Sequence, residues 1–180
     1  MNKRICAVIL GTMFAVSGLV FAQDSINLLK NSELKFDNDG KLSDWSANSK
    51  LSQDTGHKSL NSVRMTLDHQ ARVFIQNTMG QRVKDLKPGK YIFTAYIKLD
   101  RKISEVVLMN YFDLDGKVFY QGPHLKASEQ PEPGEWGKIM AEFDIPKGTD
   151  AASFAFDLRD AAPGASVWVD SPVLTYKAGQ

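Results

Sequence analysis

Along most of the chain, apolar residues recur at every second position in short runs that end at Gly, Pro, Asn or Asp. Between Ser62 and Asp68, Val63, Met65 and Leu67 fall on one side and Arg64 and Thr66 on the other. From Tyr91 to Leu99, one face carries Tyr91, Phe93, Ala95, Ile97 and Leu99, and the opposite face Thr94, Tyr96 and Lys98. Trp136 to Pro146 sets Ile139, Ala141, Phe143 and Ile145 against Lys138, Met140, Glu142 and Asp144. Ser153 to Arg159 sets Phe154, Phe156 and Leu158 against Ala155, Asp157 and Arg159. Successive side chains of a strand leave on opposite sides, so a period of two in segments rich in β-branched and aromatic residues predicts half-buried strands.

Glu105 to Phe112, Lys117 to Gln121 and Ser166 to Tyr176 read as further strands, and Arg72 to Asn77 as a less regular one. Turn formers at Lys87-Pro88-Gly89, Asp113-Leu114-Asp115-Gly116, Pro133-Gly134, Pro146-Lys147-Gly148 and Pro163-Gly164 punctuate the runs, and no segment has a helical period. Eight or nine antiparallel strands at this spacing predict an all-β fold, a two-sheet antiparallel β-sandwich of the jelly-roll type.

The N-terminus is different. Lys3 and Arg4 precede an apolar run from Ile5 to Phe21, and small residues stand at the third-last and last positions of Val20-Phe21-Ala22. That is the layout of a signal peptide cut after Ala22, and it predicts a secreted or periplasmic protein. The competing reading, a membrane anchor, is countered by the shortness of the run and its interruption by Gly11, Ser17 and Gly18. Residues 23–180 form one expected domain. Its formal charge is −1, because cleavage removes two cations from a chain of net charge +1. Cys6 is the chain's single cysteine and leaves with the signal, so no disulfide is expected and the core alone must hold the fold. Interspersed charges give no reason to expect nucleic acid or membrane insertion.

Several segments in order resemble carbohydrate-binding modules of families four, nine and twenty-two, within the galactose-binding-like jelly-roll superfamily. They are Asn27-Leu28-Leu29 with Asn31, Trp45, Gly56-His57-Lys58-Ser59-Leu60, Gln76, Leu86-Lys87-Pro88-Gly89-Lys90-Tyr91, the Trp136 strand and Val167-Trp168-Val169-Asp170. The resemblance implies a non-catalytic protein that binds a polysaccharide or other glycan on a sheet face or in a cleft. Aromatic rings there stack on sugar C–H faces while amides, carboxylates and guanidinium groups bond the hydroxyls. It places Gln76 and Tyr96 among the ligand groups, and implies end-closing, structural roles for Trp45 and Trp136. Alternation turns Trp168 away from Val167 and Val169, which makes it a stacking candidate. Arg72, Asn110, Tyr120, Asp157 and Arg159 complete the ligand-binding set, as polar or amphipathic residues on predicted strands. Tyr120 and His124 also sit near a long loop ending at Pro131-Glu132-Pro133-Gly134, and long loops on rigid sandwiches often carry recognition.

The same resemblance implies one structural calcium, Asp170 of the last strand being one ligand. Lys35 stands where the first strand would supply an acid. Two outcomes follow: Lys35 pairs with Asp170 in place of the metal, or Glu33 turns in as the missing ligand through a shift of register. Asp37-Asn38-Asp39-Gly40 lacks the spacing of a twelve-residue calcium loop and reads as a turn. No catalytic constellation appears: His57, His69 and His124 are scattered, no nucleophile elbow is present, and the Glu129 to Glu135 acids lie in a Pro-rich loop. The alternative function is a secreted interaction domain that binds a protein or cell-surface partner with no sugar cleft. The short run after the last strand leaves no attached catalytic domain to expect, which favours that alternative. A line of exposed rings would favour glycan; a compact apolar patch would favour protein.

Overall fold

Eleven strands form two antiparallel sheets among the described residues. They are β1 (Ser46–Ala47), β2 (Lys50–Thr55), β3 (Asn61–Thr66), β4 (Thr78–Lys84), β5 (Gly89–Leu99), β6 (Glu105–Leu114), β7 (Lys117–Gln121), β8 (His124–Lys126), β9 (Gly137–Ile145), β10 (Ala151–Arg159) and β11 (Ser166–Lys177). The structure is a computed structural model that describes residues 26–67, 78–115, 117–159 and 161–177, with the backbone alone at 120 and 121. The predicted signal segment, Arg72 and Gln76 lie outside the described residues.

Sheet I runs β1-β4-β10-β6-β7, with β8 also on β6; sheet II runs β2-β3-β11-β5-β9. From β3 onward the chain passes between sheets, β4, β6 and β10 lying in the first and β5, β9 and β11 in the second. This is the jelly-roll sandwich that the alternation predicted. Residues predicted to share a face do so: Val63, Met65, Phe93, Ile97, Ile139, Phe143, Phe154, Phe156 and Leu158 are all buried in one core. Phe154 of sheet I lies at its centre, 6.2 Å from the Phe93 ring and 5.7 Å from Phe143 across the sandwich.

Two end closures tie loops to this core. Trp45 is buried and its indole N–H donates to the Asn31 carbonyl at 3.2 Å, the structural role expected of it. The Tyr91 hydroxyl donates to the Lys87 carbonyl at 2.8 Å and accepts from the Lys87 amide at 2.9 Å, closing the Lys87-Pro88-Gly89 turn. Burial holds its phenol above the ordinary range. Tyr91→Phe removes both bonds while keeping the ring, and should lower stability by about 1–2 kcal/mol in urea unfolding.

The acidic stretch is a turn. The Asp37 carboxylate accepts the Asp39 and Lys41 amides at 3.0 and 2.9 Å, and Gly40 takes φ +72°. Phe36 and Leu42 pair across it.

Candidate functional site

The side of sheet I turned away from the core is itself mostly buried. Along β6 and β10, Phe112, Leu108, Phe154 and Phe156 point inward, so Val107, Met109, Tyr111, Ala155, Asp157 and Arg159 point outward. Outward residues of a surface sheet are ordinarily wet. Here Val107, Met109, Ala155 and Asp157 are only 1–3% exposed. Small residues lie along it: Gly80 of β4 pairs with Ala155, and a Cβ on Gly80 would stand 2.6 Å from that of Ala155. The row Gly80-Ala155-Met109 is thus an apolar floor running across three strands.

Charge lines one end of the floor. Arg159 Nε donates to Asp157 at 3.0 Å, its Nη1 lies 3.7 Å from Glu105, and Glu105 meets His124 Nδ1 at 2.9 Å. Registry explains the cluster: Arg159 pairs with Glu105 and Asp157 with Val107 on β6, while His124 of β8 pairs with Val107 from the other side. Ser153 and Tyr111, paired partners, rim the opposite end. The fork of Arg159 fixes a nearly buried carboxylate in place, which gives donors and acceptors at set positions beside an apolar strip.

The other predicted residues separate. Asn110 lies on the inward side of β6, fully buried, donating to the Ser153 carbonyl at 3.3 Å. Tyr120 belongs to β7, its backbone paired with Tyr111 on the same sheet. Tyr96 and Trp168 are on the outward face of sheet II, across the sandwich from the sheet I face. There Trp136 corrects the expectation of a structural closure: it is half-buried on that face, with the His57 ring stacked 5.5 Å away at 14°. Lys98 lies 4.5 Å from the Trp168 centroid and 5.1 Å from that of Trp136, and Arg64 lies 5.2 Å from Trp168. These rings are engaged with cations and with each other. A neutral sugar would have to displace them to stack.

Asp170 answers the calcium question through its donor set. A bulge after Asp170, with Ser171 at φ +47°, lets β11 bring its carboxylate under the β2–β3 turn. Gly56 permits that turn, because a Cβ there would stand 2.3 Å from the Ser59 carbonyl oxygen. Asp170 then accepts the His57, Lys58 and Ser59 amides at 2.7, 2.5 and 3.3 Å, and the Ser59 and Ser171 hydroxyls at 2.6 and 2.9 Å. Burial pushes its pKa up, but these bonds outweigh burial and hold it below the ordinary value. Five donors aimed at a carboxylate are what an anion attracts, and a calcium ligand set of oxygens does not fit there. Lys35 does not reach Asp170 either: it pairs with exposed Glu33, two residues away. Among the described residues no group of three or more His, Cys, Asp or Glu is placed to hold a metal.

Solved structures share this architecture. A family 16 carbohydrate-binding module matches over 83% of this chain and 99% of its own, at TM-score 0.59 and 19% identity. The fold is that of a carbohydrate-binding module. The CBM22-1 xylan-binding domain of Paenibacillus barcinonensis Xyn10C matches over 86% of this chain and 97% of its own, at TM-score 0.60 and 15% identity. The enzymatically active domain of bacteriophage CBA120 tailspike protein 4 matches over 84% of this chain at TM-score 0.61 and 12% identity, and this chain spans 22% of its length. At such identities the likeness is one of fold. No family model matches the chain, and no curated protein matches it in sequence.

Of the candidates named from the sequence, Asp157 and Arg159 lie on the outward face of sheet I, and Met109, Ala155 and Gly80 beside them were not among the candidates. Nothing in EVVLMNYF marks Met109 as outward and Leu108 as inward until β10 fixes the register.

Proposed function

We propose that this protein is a non-catalytic glycan-binding module, exported to the periplasm or beyond, that takes a poly- or oligosaccharide along the outward face of sheet I. The observation that carries the reading is the Asp157–Arg159 pair on the side away from the core, its carboxylate nearly buried and its guanidinium partly exposed. A half-desolvated ion pair contributes little net stability, whereas fixed charges beside an apolar floor suit sugar hydroxyls and C–H faces together. The carbohydrate-binding modules that share the fold support the same reading. Glu105 and Asp157 are both held by Arg159, which supports recognition over hydrolysis; an acid and a nucleophile would need different environments.

Affinity electrophoresis of residues 23–180 through gels of xylan, β-glucan and mannan tests it. Retention by at least one neutral polysaccharide is expected, weakened several-fold by Tyr111→Ala and unchanged by Trp168→Ala. Free migration in every gel would overturn the proposal. Docking to a protein has in its favour only the exposed side chains of Val118 and Phe119 on β7, which leave on opposite sides of the strand and form no single patch.

A further inference from the structure

The outward face of sheet II holds an arrangement that the sheet I face does not use. Strand registry places Arg64, Trp168 and Lys98 side by side on β3, β11 and β5, and Trp136 follows immediately before β9. Cation and ring alternate across the sheet over about 14 Å, three interstrand spacings. A second row lies beside it, where Tyr96 pairs with Lys138 and carries Lys58 over its ring at 5.5 Å.

These cations have few acceptors of their own. Arg64 spends Nε and Nη2 on the single Ser166 hydroxyl, at 3.1 and 3.0 Å, and among the described residues its other N–H groups meet no acceptor. Among the described residues Lys58, Arg64, Lys98 and Lys138 form no ion pair. Two acids stand among them: Asp170, which pairs with Tyr96 and is committed to the β2–β3 turn, and Asp54, which is bonded by the Trp168 indole N–H at 2.8 Å and is held below its ordinary pKa by that bond first, then by the Thr55 amide, with Lys98 and Arg64 adding to it. Four cations against two committed carboxylates leave a net positive surface. Stacking also orders the cations in advance, which lowers the cost of binding.

We propose that this face is a second binding site, separate from the sheet I face, for an anionic glycan: a chain bearing uronate carboxylates or sulfates. The spare N–H groups of Arg64 and the ammonium groups of Lys98, Lys58 and Lys138 pair with the acid groups. The half-buried edges of Trp136, Trp168 and Tyr96 lie against the sugar rings between them. The ligand class is anionic because the rings' faces are already occupied by cations, so a neutral sugar gains no open platform here.

The test uses polygalacturonate in the gel, with neutral polysaccharide in parallel, at low salt and at 0.5 M. The module should be retarded by polygalacturonate at low salt and released by salt, since the contacts are ionic. Lys98→Met keeps an unbranched apolar stem between the indoles, and with Arg64→Met it should weaken this retardation at least tenfold. Lys138→Gln, at an exposed position, should weaken it alone if the double variant fails to fold. The Trp168 indole N–H signal should move on adding tri-galacturonate, and neutral-glycan retention should be unchanged in both variants. No retardation, retardation indifferent to these substitutions, or equal binding of poly-L-glutamate would overturn the second site. Loss of neutral-glycan binding by Arg159→Ala with polygalacturonate binding intact would keep the two sites distinct; loss of both by that one change would overturn their separation.

Discussion

Asp170→Ala should cost about 3–5 kcal/mol of folding stability, because it strands three backbone amides and two hydroxyls that have converged on a fully buried carboxylate. The loss falls on the joint between the β2–β3 turn and the last strand. Since the acceptor is a carboxylate held by N–H and O–H donors, thermal midpoints in millimolar calcium and in chelator should coincide. A calcium-dependent rise would mean that the amides turn away and a metal enters. The linkage with pH follows from the depressed pKa: the contribution is complete above the ordinary carboxylate value of about 3.9, and it is lost as pH falls through the lower, folded value. Asp170→Asn, with no charge to titrate, should flatten that acid limb in urea unfolding followed by fluorescence between pH 2 and 5.

The second large effect belongs to Arg159→Ala. Glycan retention should fall at least tenfold, since the fork that holds Asp157 and reaches Glu105 is gone. Stability should also fall, by about 2–3 kcal/mol, because Asp157 keeps a nearly buried charge without its partner while Arg159 itself was partly in water. The two losses can be separated. Adding Asp157→Asn removes the stranded charge and should recover most of the stability without restoring retention. If the double variant bound glycan normally, the ion pair would be structural and the sheet I face would not be the site.

The strands were legible wherever one face is buried and the other wet. Val63 and Met65, Phe93 and Ile97, and Ile139 and Phe143 alternate with polar residues because burial acts on one side only. The pattern failed at both extremes. In Glu105 to Leu114 both faces are buried over much of the strand, so the period of two disappears into a continuous apolar run. In β2 only Leu51 is drawn inward, and an edge strand that polar reads as loop. Trp168 pointed outward as alternation required. Trp136 escaped because its partner, His57, comes from a turn 79 positions earlier, and nothing local announces that stack. The calcium question turned on the same kind of distance. Asp170 and Gly56-His57-Lys58-Ser59 were both visible in the resemblance, but the bulge at Ser171 that brings them together is a backbone event, set by a residue at positive φ and followed by Pro172.

The most direct test of the proposed glycan site is a titration of 15N-labelled residues 23–180 with an oligosaccharide of the polysaccharide that retains them. Amides of Met109, Tyr111, Ala155, Asp157 and Arg159 should shift first and saturate together, with Tyr96, Lys98 and Trp168 unmoved. Shifts confined to Tyr96, Lys98 and Trp168, with Asp157 and Arg159 unmoved, would contradict the account.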